Sequence, residues 1–124
     1  AASFLELMKT LREIRSLPLE ERQLKQLEAF KKAIAVPEQM AQTMADLLPS
    51  FTNLLLKGNK NVLSDAIMAA QFAMACIHAS ILNIRINLKY IDDEFYEHEM
   101  TDTIKSWEDA ISAIDAVLTY QVDL

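Results

Sequence analysis

Glycine is almost missing from this sequence: Gly58 stands alone, with three prolines, in 124 residues. So little turn material excludes a fold of many short strands, because hairpins need residues that accept positive φ. Long helices joined by few loops are expected instead. Cysteine is as scarce, and the single Cys76 cannot close an internal disulfide. That suits a reducing compartment. No charged segment precedes an apolar one at the start, as a secretory signal would require, so a cytoplasmic location is expected. The sequence opens on Ala1 rather than Met, as a processed or truncated chain does. Positive charge is the minority sign: 12 basic against 18 acidic residues, a net charge of −6 and a pI near 4.8. A nucleic-acid partner is therefore not expected, since phosphate contact needs a basic face. Long uninterrupted apolar runs are also lacking. The most apolar stretch, 66–82, is broken by Gln71 and His78 and falls short of the ~20 residues a bilayer needs. It is read as a core helix, with no membrane partner.

What is present is helical periodicity. Hydrophobic residues make up 52% of the chain, enough for one core in one domain spanning residues 1–124. Phe4, Leu7, Met8, Leu11 and Ile14 predict an amphipathic helix over 2–15. Pro18, followed by Glu20 and Glu21, suits the first turn of a second helix carrying Leu24, Leu27, Phe30 and Ile34. Pro37 either starts a third helix or kinks a continuing one. Met40, Met44, Leu47, Phe51 and Leu54 step by 4 and 3 along one face of that third helix, and Pro49 is expected to bend it. Gly58 reads as a left-handed C-cap, and 59–61 as a loop. Ser64 or Asp65 is the expected N-cap of a fourth helix running towards Ile86. Asp92 and Asp93 then cap a fifth, with Met100, Ile104, Trp107, Ile111, Ile114 and Leu118 as its seam. The expected architecture is an all-α antiparallel bundle of about five helices.

The fourth helix carries a stripe of small and polar residues at near-heptad spacing: Ala66, Ala69, Ala73, Cys76, Ser80, Asn83 and Asn87. Such a stripe lets another backbone approach closely, and its polar end needs hydrogen-bond partners in protein, water or ligand. It reads either as a tight helix crossing or as one wall of a pocket. From Lys57 to Lys89 the basic residues Lys57, Lys60, Arg85 and Lys89 face one acid, Asp65, a local excess of +3. A locally positive region suits an anionic ligand, although solvated lysines read the same way.

Two motifs in this region are recognisable. Gly58-Asn59-Lys60-Asn61-Val62-Leu63-Ser64-Asp65-Ala66 and Asn83-Ile84-Arg85-Ile86-Asn87-Leu88 resemble the paired Asn motifs of the formiminotetrahydrofolate cyclodeaminase / methenyltetrahydrofolate cyclohydrolase family. Ile91-Asp92-Asp93-Glu94-Phe95, Ala35-Val36-Pro37 and Ala2-Ser3-Phe4 resemble further stretches of that family in the same order. The resemblance runs from residue 1 to about residue 105 and covers the family's C-terminal two-thirds. The family's N-terminal section, with a proline- and glycine-rich turn and an Ala-rich helix, has no counterpart in these residues. Pro49 falls where the family helix usually has no proline.

The resemblance implies an enzyme acting on a tetrahydrofolate that bears a one-carbon group, with a second copy of the chain as partner. It implies no metal and no tightly bound cofactor, the folate being the substrate. In the cyclodeaminase reaction N10 attacks the formimino carbon on N5, ammonia leaves, and a methenyl bridge forms. In the cyclohydrolase reaction water attacks that bridging carbon. Both pass through a tetrahedral intermediate at a cationic carbon, which a carboxylate can stabilise while moving protons. Asp65 is therefore the candidate catalytic residue. Asn59, Asn61, Asn83 and Asn87 are candidate pterin contacts, with Ser64 beside them. Lys60 and Arg85 are candidates for the glutamate tail. Each also has a purely structural reading as cap, loop brace or solvated surface. Glu94, Glu97, His98 and Glu99 lack the second Glu-x-x-His copy that a di-iron bundle needs, and His78 and Cys76 read as core material. The rival to an enzyme is a non-catalytic helical interaction module that keeps the family's packing residues without its chemistry.

Overall fold

The computed structural model describes residues 2–123. They form four helices: α1 (Ala2–Ile14), α2 (Leu19–Lys57), α3 (Lys60–Leu88) and α4 (Glu94–Asp123). There is no strand among the described residues, as the shortage of turn residues requires. The count is four rather than five because the expected second and third helices are one. α2 runs for 39 residues, about 58 Å at helical rise, and includes Pro37 and Pro49. Each proline deletes one backbone rung, and burial in the shared core from Ile34 to Leu55 holds the turns on either side in register.

Two short connections force the long helices to reverse. Gly58 and Asn59 join α2 to α3, and residues 89–93 join α3 to α4. α4 therefore runs parallel to α2, with α3 antiparallel to both. Three side-chain bonds tie α4 to α2 at successive heights. Lys31 Nζ meets Asp93 Oδ2 at 2.8 Å, Trp107 Nε1 donates to Gln42 Oε1 at 3.0 Å, and Gln121 Nε2 donates to the Leu55 carbonyl at 2.8 Å. Between them lies one continuous apolar core from Ile34 to Leu55, Ala66 to Ile84 and Met100 to Leu118. α1 packs on the first half of α2 through a separate cluster of Leu7, Ile14 and Ala29.

The α4 seam is buried at every expected position. On α2 the expected face is rotated. Met40, Leu47 and Leu54 are exposed, and the core takes Ile34, Ala41, Leu48 and Leu55, with Met44 and Phe51 partly buried beside them. α2 has two apolar stripes, and the one containing the small Ala41 admits α3 closely. Similarly, Phe4 and Met8 of α1 are exposed while Leu7 and Ile14 are buried.

Candidate functional site

The α2–α3 turn departs from the sequence reading from Gly58 to Asn61. Gly58 is extended, at φ −70° and ψ 150°, not left-handed. Its N–H still donates to the Leu54 carbonyl at 2.7 Å, closing α2. Glycine is needed here for space: a Cβ would collide with that same carbonyl oxygen. The N-cap of α3 is Asn59, not Ser64 or Asp65. Its Oδ1 accepts from the N–H of Asn61 at 3.0 Å and of Val62 at 3.3 Å. The shift follows from Gly58: because α2 closes at that residue, the chain is free to enter α3 at once, and the nearest capping side chain is Asn59. Lys60 and Asn61 are consequently helical and exposed, and Ser64 and Asp65 lie one turn into the helix, also exposed. Asp65 has no ion-pair partner among the described residues, and the helix macrodipole favours a negative charge so near the N-terminus.

The second motif lies at the other end of α3. Asn87 Nδ2 donates to both the carbonyl and the Oδ1 of Asn83, each at 2.9 Å, so the two amides form one unit across a helical turn. Arg85 points towards α4, where its Nη2 meets Glu108 Oε1 at 3.5 Å. The 22 residues from Asp65 to Asn87 span about 33 Å of helix. A single chain thus brings Asn59, Lys60, Asn61, Ser64 and Asp65 together, and Asn83 with Asn87, but it does not bring the two groups to each other. The small-residue stripe between them is mainly a crossing: Ala66, Ala73 and Ser80 are buried, and Ala69 and Cys76 partly so.

Neither of two surface clefts is lined by these residues. One, of about 530 Å³, lies between α1 and α2, with Leu7, Ile14, Ala29 and Ala33 in its lining and the Glu6–Lys32 ion pair across it at 2.8 Å. That contact holds the Glu6 carboxyl below its ordinary pKa and raises the Lys32 ammonium. The other, of about 420 Å³, is acidic, with Glu38, Glu99 and Asp102 around Tyr96.

A polar knot beside Asn87 went unseen in the sequence. Asp93 caps α4 by accepting from the Tyr96 N–H at 3.1 Å while pairing with Lys31. The Lys31 hydrogen bond, with the Tyr96 N–H second, lowers the Asp93 pKa. Lys31 Nζ also lies 4.8 Å from the Tyr96 ring centre, and Phe30 stacks on Tyr90 at 5.1 Å. Burial, followed by the charges of Glu38 and Asp93, raises the Tyr96 pKa. The spacing of Asp93 marks it as a cap, but no local pattern pairs it with Lys31, 62 residues earlier.

Comparison with known proteins agrees with the motif pattern. Residues 1–106 match the family model described as Formiminotransferase-cyclodeaminase. The formimidoyltransferase-cyclodeaminase of Sus scrofa is 33% identical over 79 residues, 64% of this chain and 15% of that protein. The methenyltetrahydrofolate cyclohydrolase of Methylorubrum extorquens is 33% identical over 72 residues, 58% of this chain and 35% of that protein. The chain thus spans well under half the length of these curated relatives. The crystal structure of formiminotetrahydrofolate cyclodeaminase from Thermotoga maritima superposes with a TM-score of 0.79 at 27% identity, covering 95% of this chain and 58% of that one. With the matched model reaching across both Asn motifs and most of the helical frame, the chain belongs to the formiminotransferase-cyclodeaminase family.

Proposed function

We propose that the protein takes part in folate one-carbon chemistry, as a cytoplasmic homodimer acting on formimino- or methenyl-tetrahydrofolate. The observation that carries this reading is the family match over residues 1–106, which includes both polar ends of α3. In the proposed roles Asp65 stabilises the cationic one-carbon centre and moves the proton as the tetrahedral intermediate forms or collapses. Asn59, Asn61, Asn83 and Asn87, with Ser64, offer the paired donors and acceptors a pterin requires. Lys60 and Arg85 supply positive charge for the glutamate carboxylates. No metal or tightly bound cofactor enters the scheme, and tetrahydrofolate is the carrier.

The test is calorimetric titration with 5-formyltetrahydrofolate, a stable reduced folate. Binding that weakens at least tenfold in Asp65→Asn is the expected result, followed by turnover assays on both substrates. No heat at two temperatures would instead favour the non-catalytic interaction module. That second reading draws on the exposure of the candidate residues and their separation along α3 within one chain.

A further inference from the structure

The polar end of the α3 stripe does not stop at Asn87. Asn83, Asn87 and Tyr90 step by 4 and 3, and Lys89 between the last two keeps helical angles, at φ −60° and ψ −23°. The Tyr90 N–H donates to the Asn87 carbonyl at 3.1 Å. The tyrosine therefore lies one turn beyond the bonded Asn83–Asn87 amides and on their side of the helix. We infer that Tyr90 is a further substrate contact, a stacking shelf for the planar ring of the pterin whose edge the two amides read. This inference rests on the folate reading above.

Two observations set Tyr90 apart from the other exposed aromatic side chains. The first is that its ring is held. It stacks on Phe30 of α2, with centroids 5.1 Å apart and planes 15° from parallel, the one aromatic pair among the described residues. Phe30 is in turn packed against both the main core and the α1 cluster, so the surface beneath Tyr90 is anchored. The turn that carries Tyr90 is fixed on its far side as well, by buried Ile91 and by the Lys31–Asp93 pair at 2.8 Å. A ring held in this way has little freedom left to lose when a ligand settles on it. The second is the open face. Phe30 covers one side of the ring, yet Tyr90 is 66% exposed, so the opposite side meets solvent. Tyr96 shows the alternative arrangement: it is half-buried, and the Lys31 ammonium lies over its ring, 4.8 Å from the centroid. Amides for the edge of a flat heteroaromatic ring, with a free aromatic face one turn away, are the two elements by which such a ring is bound.

The test titrates the full chain with 5-formyltetrahydrofolate and reads both calorimetric affinity and the fluorine NMR signals of protein grown with 3-fluorotyrosine. The sequence holds three tyrosines, and the resonance missing from Tyr90→Phe is that of Tyr90. It is expected to shift as the folate saturates, while the Tyr120 resonance stays in place. Tyr90→Leu and Tyr90→Ala are expected to weaken binding about tenfold, the scale of one lost ring stack, and Tyr90→Phe to bind as wild type does. Leucine keeps apolar packing against Phe30, so a loss of affinity in Tyr90→Leu with unchanged helical circular dichroism reports the missing ring and not a disturbed fold. Wild-type binding with a stationary Tyr90 signal and full affinity in Tyr90→Leu would overturn the shelf and leave the folate reading intact. Binding as weak in Tyr90→Phe as in Tyr90→Leu would make the hydroxyl the contact and overturn stacking. No binding by the wild-type chain would overturn the folate reading and the shelf together.

Discussion

The α2–α3–α4 frame and α1 are built from the same kind of amphipathic helix, yet they are held very differently. In the frame each helix packs against two others, the core is continuous along α2, and side-chain bonds tie α4 to α2 at three heights. α1 has one neighbour, a cluster of three buried residues and an ion pair on the surface. Burial on two sides makes the loss of one side chain a loss for the whole bundle, whereas burial on one side lets a helix detach alone.

Trp107 sharpens that comparison most. It is 1% exposed in the middle of the frame, and its indole N–H is bonded to Gln42. Trp107→Ala should cost about 3–5 kcal/mol, read as a lower urea midpoint for the entire helical signal. Ile14→Ala empties a comparably buried position in α1, where about 2 kcal/mol of local packing is at stake. Its expected signature is faster amide exchange over 2–14 with protection in α3 unchanged. Loss of α3 protection as well would show that α1 and the frame unfold as one.

The smallest effect concerns the acid limb. Asp93 has its pKa lowered below the ordinary 3.8 by Lys31 and the Tyr96 N–H. A lowered carboxylate pKa means that the unfolded chain binds the proton first. The stabilisation is therefore complete above about pH 4 and is lost as pH falls through the folded-state value. Asp93→Asn should flatten the stability profile in that window and leave the neutral-pH difference nearly constant. An unchanged acid limb would show that Lys31 and Asp93 do not couple in solution.

Much of the frame was legible in order of residues alone. The seam from Met100 to Leu118 steps at helical spacing and is buried throughout, because α4 has one apolar face and therefore one way to pack. α2 has two, and its sequence did not say which would turn inward; the stripe of Met40, Leu47 and Leu54 stayed exposed. At Pro37 the sequence left open a helix start or a kink in a continuing helix, and the helix continues. Local chemistry counts the lost rung at Pro37 and Pro49, while packing in the shared core from Ile34 to Leu55 outweighs it. The Asn motifs were legible as a pattern, but the cap belonged to Asn59 because Gly58 closes α2 by tight approach and not by a left-handed turn.

By itself the sequence determined helix type, the chain break at Gly58, and family membership, since all three depend on residue identity and spacing along a short stretch of chain. Which stripe of α2 became core, the union of its two proline-bearing halves, the Lys31–Asp93 tie, and the separation of the Asn motifs to opposite ends of α3 were decided by tertiary structure. These depend on groups distant in sequence meeting in space, and on the shape of the neighbour that each helix finds.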